Sequence, residues 1–535
     1  MHRAFFELTT DRLTIRYRSL LRQVALPLAI LSIVSTSGGD EPNRRVAVGD
    51  TESVIHISGA ATSAAVRLPD WYSAGRSEQL STTPEDSSSV PGSAVPVVNG
   101  SEAAPAVTDE LGALQRRLEL LEAAEKDRTK RDSAKAAEEK KKAAELKAIP
   151  VDKWNVKLGG HVQLDYVNWA RADESITGNP GPSDYFEFRR LRLVADGTGY
   201  ENCDFRLQMT LEPETVGESG GAVTSPDVKD AYFSANEIPG LGRFRIGNFF
   251  VPFGLEQVTN DTNNIFMERS IPTQGVFTAD REVGVALYNC SEDQSLGWST
   301  GVFFDSINEA LKERIDDNQG YRTSGRLTWT PFYDDSSSGR YLIHTGVGVL
   351  HTQDQDQRVR FRSRPQIHEG PRLIDSGVIN ANSYTTGNLE FAAVMGPVTL
   401  QSEAFLSTVN QLGGGAETLG GAYAHLSWFL TGENRVYDRF GQHGAQFARN
   451  VPKANLRLNN GVLSPGAWEL KTRYSNLNLD NFNKGQYNDL TCGVNWYWSD
   501  RTRVMFDWIH PVTTSATTFG DTTSDILAMR FDFNW

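Results

Sequence analysis

Apolar and polar side chains alternate along most of the chain after residue 150, as they do in a strand with one dry and one wet face. The last eleven residues show this most clearly. One face is apolar and ends on an aromatic residue: Leu527, Met529, Phe531, Phe533 and Trp535. The other face is mostly polar: Ile526, Ala528, Arg530, Asp532 and Asn534. Such a closing strand is typical of an outer-membrane β-barrel, and the alternative is the last strand of a soluble β-sandwich.

The same alternation recurs in segments of about ten residues, the length with which a tilted strand crosses a bilayer. Trp and Tyr at the segment ends favour a barrel over a sandwich, because aromatic side chains lie at the membrane interface. About sixteen such segments follow one another between Lys153 and Trp535, and bacterial barrels have even strand numbers. We therefore predict an all-β fold, a transmembrane antiparallel β-barrel of about 16 strands, whose last strand closes the barrel against the strand around Trp154.

The gaps between these segments alternate between short and long, as turns and outer loops do in such barrels. The short gaps include 238–242, 396–397 and 499–500, and the long ones include 171–185, 252–280 and 353–382. The gap 431–465 is long where a short turn is expected.

The long segment 252–280 is too apolar for a loop in water, since it contains Phe266, Met267, Ile271 and Phe277. Folding into the barrel would bury these side chains and narrow the pore. We expect Glu268 and Arg269 to lie near the resulting constriction.

Charged residues on the strands indicate which face is the lumen, because an arginine facing lipid at the bilayer centre costs about 2–4 kcal/mol. The residues placed inside by this rule are Arg190, Arg192, Arg206, Arg243, Arg245, Lys471, Arg473, Arg503 and Arg530, with Asp165, Asp204, Glu282, Glu403, Glu469, Asp507 and Asp532. A wet lumen with both signs of charge conducts water and ions. The alternative is that these charges pair across neighbouring strands and only solvate the wall.

Composition excludes several classes of protein. A mean hydropathy of −0.41 rules out a helical membrane protein, and a net charge of −14 gives no reason to expect a nucleic-acid partner. The three cysteines form no disulfide framework, and no residues have metal-ligand spacing, so no cofactor or metal is expected. An enzyme in a barrel is a further possibility, but Gly-x-Ser-x-Gly and H-E-x-x-H motifs are absent and His161 and His425 lack an activated serine partner.

The first 149 residues differ in composition from the barrel and divide into three predicted parts. Residues 1–37 resemble a secretory signal peptide, with arginines before a short apolar run; an uncleaved anchor is the alternative. Residues 38–107, rich in Ser, Thr, Ala, Pro and Gly, predict a disordered linker. Residues 108–149 predict a short helical coiled-coil segment, or else a lone charged spacer helix. Residues 150–535 form the predicted porin domain.

Several motifs, in order, resemble the phosphate-selective porin O and P family of bacterial outer-membrane porins. They are Phe188–Arg192, Val228–Tyr232, Ile246–Gly254, Phe266–Ser270, Arg360–Pro365, Arg372–Gly377 and Ser427–Gly432. The resemblance implies a sixteen-stranded homotrimer with an N-terminal coiled coil. It also implies that the third loop, the fifth loop and a late periplasmic segment fold into the lumen, which would account for the gap 431–465.

Two departures from the family pattern bear on selectivity. The family motif commonly reads Gly-Gln-Phe-Lys-x-Pro-Phe, and this chain has Phe250 in place of the lysine. Residues 151–535 also carry 33 Lys and Arg against 46 Asp and Glu, whereas a phosphate pore needs dense cationic charge.

We therefore predict an outer-membrane porin, surrounded by outer-membrane lipids, that passes small ions and solutes with at most a weak preference for anions such as phosphate. The candidate pore-lining residues are Arg190, Arg192, Arg206, Arg243, Arg245, Glu268, Arg269 and Arg281. The alternative function is a structural envelope barrel that tethers the outer membrane to the cell wall.

Overall fold

A computed structural model describes residues 153–176, 182–212, 227–304, 320–354, 356–459 and 462–535. The predicted signal peptide, linker and coiled-coil segment lie outside these residues. Among the described residues, no helix has the length and apolar character needed to cross a membrane.

In the described part of the chain, sixteen long strands form one continuous antiparallel sheet, as predicted, and two two-residue strands add to its edge at the loop end. The first eight are β1 (Trp154–Arg171), β2 (Tyr185–Gly199), β3 (Cys203–Thr210), β4 (Asp227–Ile238), β5 (Gly242–Phe250), β6 (Arg281–Cys290), β7 (Leu296–Phe303) and β8 (Tyr321–Tyr333). The second eight are β9 (Tyr341–Gln353), β10 (Ile379–Met395), β11 (Val398–Gln411), β12 (Ala416–Phe429), β13 (Ala467–Asn478), β14 (Gln486–Tyr497), β15 (Thr502–Thr513) and β16 (Asp525–Asn534).

The barrel closes where β16 pairs with β1, from His161 opposite Asn534 to Arg171 opposite Asp525. This confirms the predicted closing strand. The terminal Trp535 continues the seam, since its backbone N–H donates to the Gly160 carbonyl at 3.1 Å. A β-carbon at Gly160 would lie 2.4 Å from the Trp535 ring, so only glycine admits the ring at this position.

The two ends of the barrel differ as the gap lengths predicted. The end where β1 begins and β16 finishes, called the turn end, has mostly short connections, such as 239–241 and 396–397. The opposite end, called the loop end, carries loop 3 (251–280) and loop 5 (354–378). The connection 430–466, called the turn-end segment, is long, although it leaves the turn end.

The faces of the strands agree with the charge rule. Apolar side chains point outward, with Leu158 82% exposed and Leu389 63% exposed. The charged residues placed in the lumen are buried or half-buried, and Arg245, Arg473 and Arg530 are each only 1% exposed. Their burial comes from the segments that fill the lumen.

Loop 3 folds into the lumen, as predicted, and its apolar side chains are buried: Phe266, Met267, Ile271 and Phe277. A short helix, α1 (Leu255–Val258), starts against the β11 wall. The carboxylate of Glu403 accepts the N–H groups of Leu255 and Glu256, both at 2.8 Å. The first N–H groups of a helix lack intrahelical hydrogen-bond acceptors, and the Glu403 carboxylate on the barrel wall acts as their acceptor.

Loop 5 and the turn-end segment also enter the lumen. Loop 5 crosses to β13, where the Gln366 amide donates to Ser475 Oγ at 2.7 Å. The turn-end segment contains a hairpin of strands Tyr437–Gly441 and Gly444–Phe447. Its Phe447 N–H donates to Thr259 Oγ1 of loop 3 at 3.3 Å, so segments from opposite ends of the barrel meet inside it.

The remaining elements are short. Two-residue strands lie at Arg358–Val359, Arg362–Ser363, Ile374–Asp375 and Thr522–Thr523, and three-residue strands at Arg457–Asn459 and Val462–Ser464. The 3-10 helices are Glu174–Ile176, Asp335–Ser337 and Asp480–Phe482.

Candidate functional site

A cavity of about 750 Å³ lies inside the barrel between loop 3 and the inner faces of β2, β3, β4 and β6. Five of the eight predicted pore-lining residues line it: Arg190, Arg192, Glu268, Arg269 and Arg281. These residues come from strands and from loop 3, so the cavity exists only because loop 3 is folded inward.

Arg189 also lines the cavity, although the strand pattern did not place it there. The pairing of β1 with β2 shifts by one residue, because Gln163 lies opposite Arg190 and the next residue, Leu164, lies opposite Phe188. Arg189 is the extra residue of this β-bulge, and a bulge re-aims a side chain. The sequence contains a sign of this bulge. The apolar, outward-facing residues have even numbers up to Phe188 and odd numbers from Leu191 onward.

Asp261 of loop 3 is surrounded by guanidinium groups of the cavity. Its carboxylate lies 2.8 Å from Arg269 Nη2, 3.1 Å from Arg192 Nη1 and 3.4 Å from Arg190 Nε. Burial alone would raise the pKa of Asp261, but Arg190, Arg269 and Arg192 hold that pKa well below its usual range. The carboxyl group is therefore ionised at neutral pH, and its charge is paired with the arginines around it.

The carboxylate of Glu268 is likewise paired with arginines. Arg189 donates to both of its oxygens, at 2.7 and 3.1 Å, and Arg530 Nη2 donates to Oε1 at 2.8 Å. Burial would raise the pKa of Glu268, but Arg189, Arg190 and Arg530 keep that pKa well below its usual range. Loop 3 is thus held against β2 and β16 by charge-assisted hydrogen bonds.

Many of the other lumen charges are paired across strands, which was the alternative to free pore charges. Examples are Arg206 with Asp196 at 2.7 Å and Lys471 with Asp507 at 2.6 Å. The excess of acid in the barrel domain therefore does not translate directly into a negatively charged path.

Arg206, Arg243 and Arg245, the other three predicted residues, do not line the cavity. They lie toward the turn end, under the tip of the hairpin in the turn-end segment. Arg243 Nη1 donates to the backbone carbonyls of Gly441 and Gln442, at 2.9 and 3.0 Å. The eight predicted residues thus form two groups, and each group faces a different infolded segment.

Loop 5 carries a row of arginines that are not among the eight predicted pore-lining residues. Arg358, Arg360, Arg362 and Arg364 alternate with Val359, Phe361 and Ser363. The second set is buried and the arginines are exposed or half-buried, so loop 5 presents its guanidinium groups away from the packed interior. In the sequence, the alternation of arginine with small or apolar residues is the pattern that indicates this row.

The row is joined by Arg372 in the same loop. Burial lowers the pKa of Arg372, and the neighbouring Arg364 and Arg362 lower it further. Arg372 thus has the positive charges of Arg364 and Arg362 nearby, together with the acids Asp375 and Glu369.

Phe250, which stands where the family pattern has a lysine, lies behind the cavity wall and is 1% exposed. Its ring is covered by the guanidinium carbon of Arg281 at 3.8 Å and lies 5.5 Å from that of Arg269. The aromatic ring thus supports two arginines through cation–π contact rather than adding a charge of its own.

The described residues contain no cluster of His, Cys, Asp and Glu that could hold a metal ion. His161 and His425 are buried in the lumen wall, 4% and 3% exposed, and His425 lies 3.4 Å from Arg435.

Comparison with known sequences places the described barrel in a known group. The family model described as "Phosphate-selective porin O and P" matches residues 156–535. Porin O of Pseudomonas aeruginosa is 25% identical over 430 residues, which cover 72% of this chain and 90% of that protein. An uncharacterized protein of Caulobacter vibrioides is 28% identical over 336 residues, 61% of this chain, and the match spans only 61% of that protein's length.

Two solved structures resemble this chain at low sequence identity. The anion-selective porin from Comamonas acidovorans is 13% identical, with a TM-score of 0.44, and the match covers 71% of this chain and 100% of that one. OmpT of Vibrio cholerae is 9% identical, also with a TM-score of 0.44, over 72% of this chain and 100% of that one.

Proposed function

Because the chain belongs to the phosphate-selective porin O and P family and is an outer-membrane porin, we propose that it forms a water-filled channel for passive diffusion with a weak preference for anions. The observation that carries this proposal is the row of exposed or half-buried arginines on loop 5, from Arg358 to Arg364. The cavity lining itself is balanced in charge. Six basic residues line it, Arg189, Arg190, Arg192, Lys229, Arg269 and Arg281, and six acidic ones, Glu187, Glu212, Asp227, Asp261, Glu268 and Asp280.

A solute entering from the loop end meets the arginine row of loop 5 before the cavity. Exposed like charges at a pore mouth raise the local concentration of counter-ions, and rings of one charge bias the current. Arg362 is exposed and lies next to a second cationic group at Arg372, so the mouth favours anions. The candidate pore-lining residues Arg190, Arg192, Arg269 and Arg281 would then pass the anion along the cavity.

Two features argue for a weak rather than a tight preference. The acids Asp261 and Glu268 cancel part of the cationic charge of the cavity. Phe250 contributes an aromatic ring where the family pattern supplies a lysine. The channel therefore lacks the dense cationic ladder that tight phosphate binding requires.

We further propose that the chain assembles as a homotrimer in the outer membrane, with small ions and solutes, phosphate among them, as its permeating partners. The family resemblance supports this assembly. Chemical cross-linking in detergent should give a band of three chains.

The reversal potential of the purified protein in planar bilayers, measured across a potassium chloride gradient, tests the proposed function. We expect discrete conductance steps and a reversal potential displaced toward that of chloride. A displacement toward potassium would contradict the anion preference. An absence of conductance would instead favour a structural envelope barrel.

A further inference from the structure

Two lumen arginines on β5 have no carboxylate partner among the residues that the structure describes. Arg245 is 1% exposed and donates to Ser234 Oγ at 3.0 Å and toward His443 Nδ1 at 3.4 Å. Arg243 donates to Asn236 Oδ1 at 2.7 Å and to two backbone carbonyls of the hairpin tip. All of these acceptors are neutral, although a buried charge is normally paired with an opposite one.

The hairpin tip supplies several of these neutral acceptors. Gly441 and Gln442 supply carbonyl oxygens to Arg243, and the Gln442 side-chain oxygen accepts from Arg206 Nη1 at 3.0 Å. Gly444, with a φ of 84°, allows the tight reversal that aims these oxygens at the wall. Three guanidinium groups on β3 and β5 therefore converge on one two-residue turn.

Tyr288 of β6 is a second sign that the site suits an anion. Its ring lies 5.3 Å from the guanidinium carbon of Arg245 and 6.0 Å from that of Arg243. Its hydroxyl group is buried, and its proton has no acceptor among the described residues. A buried donor without an acceptor is costly, and a small anion between Tyr288 and the arginines would satisfy it.

We propose that Arg206, Arg243, Arg245 and Tyr288 form a second anion site, which the tip of the hairpin occupies in this structure. A permeating small anion such as phosphate and the tip compete for the same donors. When the anion binds, the tip is released and the turn end of the channel opens; when the anion leaves, the tip returns. This inference rests on the proposed anion preference and adds a gate to it.

The competition is physically reasonable because the tip offers only neutral oxygens. A small anion adds a Coulomb attraction to the guanidinium groups that the neutral oxygens of the tip do not supply. The far end of the hairpin is fixed separately, since the Tyr437 hydroxyl hydrogen-bonds His344 Nδ1 at 2.6 Å, and just beyond the tip Arg326 donates to the Ala445 carbonyl at 2.9 Å. The tip can therefore leave the arginines while the hairpin stays attached to the wall.

Two substitutions at Gln442 change the tip in opposite directions. Gln442→Glu replaces a neutral acceptor by a carboxylate beside Arg206, and Gln442→Ala removes that acceptor. Asn455→Asp and Asn455→Ala are the matched controls, because Asn455 lies in the same segment but is exposed. All are measured as the full chain in planar bilayers, so that conductance itself reports a folded barrel.

The readout is the closed time of single channels in potassium chloride, with phosphate then replacing part of the chloride at constant ionic strength. We expect Gln442→Glu to lengthen closed times about two- to fivefold, the effect of one partly exposed ion pair, and Gln442→Ala to shorten them. Phosphate should shorten closed times in the unmodified protein and have little effect in Gln442→Glu.

The gate would be overturned if both Gln442 variants had the same closed times as the Asn455 controls. It would also be overturned if phosphate did not change the closed times of the unmodified protein. The reversal potential of the unmodified protein is recorded in the same experiment. A chloride-directed reversal potential with unchanged closed times would reject the gate while leaving the proposed function intact.

Discussion

Arg530 on the last strand and Asp165 on the first strand form a two-point ion pair across the seam that closes the barrel. The guanidinium Nε lies 2.7 Å from Oδ1, and Nη2 lies 2.6 Å from Oδ2. The same Nη2 reaches Glu268 of loop 3 at 2.8 Å. One side chain thus joins the seam to the segment that narrows the pore.

Asp165→Asn should lower the free energy of unfolding by about 3 kcal/mol, the cost of leaving one charge of a buried pair uncompensated. Urea unfolding in lipid vesicles measures this change. Asp500→Asn is the control, because Asp500 is half exposed at the turn end. Equal unfolding midpoints for the two variants would show that the seam does not depend on this pair.

Glu268→Gln should increase the preference for anions, because it removes a negative charge and frees the guanidinium group of Arg189, while Arg530 keeps its pair with Asp165. A unit charge about 7 Å from the path in a water-like dielectric is worth about 0.6 kcal/mol for each ion, with opposite signs for anion and cation, so the anion-to-cation permeability ratio should change about sevenfold. Reversal potentials measure that ratio. Glu292→Gln, at an exposed turn, is expected to leave it unchanged, and a ratio that stays constant in Glu268→Gln would contradict the role of Glu268.

Arg362→Gln should reduce anion conductance at low salt and have a small effect at high salt. Arg362 is exposed at the pore mouth, and the screening length falls from about 10 Å at 0.1 M to about 3 Å at 1 M salt. Conductance measured at both salt concentrations tests this dependence. Arg501→Gln removes an exposed charge at the opposite end and serves as the comparison; an equal loss at both salt concentrations would mean that Arg362 acts through structure rather than through its field.

Asp261→Asn should destabilise the barrel at neutral pH but not in strong acid. The pKa of Asp261 is lowered in the folded chain, so the carboxylate contributes stability above its unfolded pKa of about 3.9 and loses that contribution as the pH falls toward the folded pKa. The difference in unfolding midpoint between the variant and the unmodified protein should be constant from pH 8 to about 5 and shrink below pH 4. A difference that is the same at pH 3 and pH 7 would exclude an ionic role.

The barrel and the facing of its strands could be predicted from sequence, because an arginine that faces lipid is costly and a strand has a period of two. The same reasoning missed Arg189, since a single bulge changes the period without changing the composition. The change of parity between Phe188 and Leu191 is the only trace that this bulge leaves in the local sequence pattern.

The placement of the infolded segments was less predictable. The apolar side chains of loop 3 indicated that it enters the barrel, but not which wall it reaches. Its Glu256 binds Arg473 at 3.1 Å across 217 residues of sequence, and no local pattern encodes such a partner. For the same reason, the sequence did not reveal that Arg243 would bind a hairpin rather than a solute.

The segments inside this barrel serve it as a hydrophobic core serves a globular protein. Phe249, Phe253, Phe277 and Phe303 are almost fully buried, at 0–1% exposure, among the infolded loops. Every widening of the pore must therefore give up packing that stabilises the fold. Permeability and stability are coupled in this protein, so variants selected for the uptake of larger solutes should be found among those that unfold most readily.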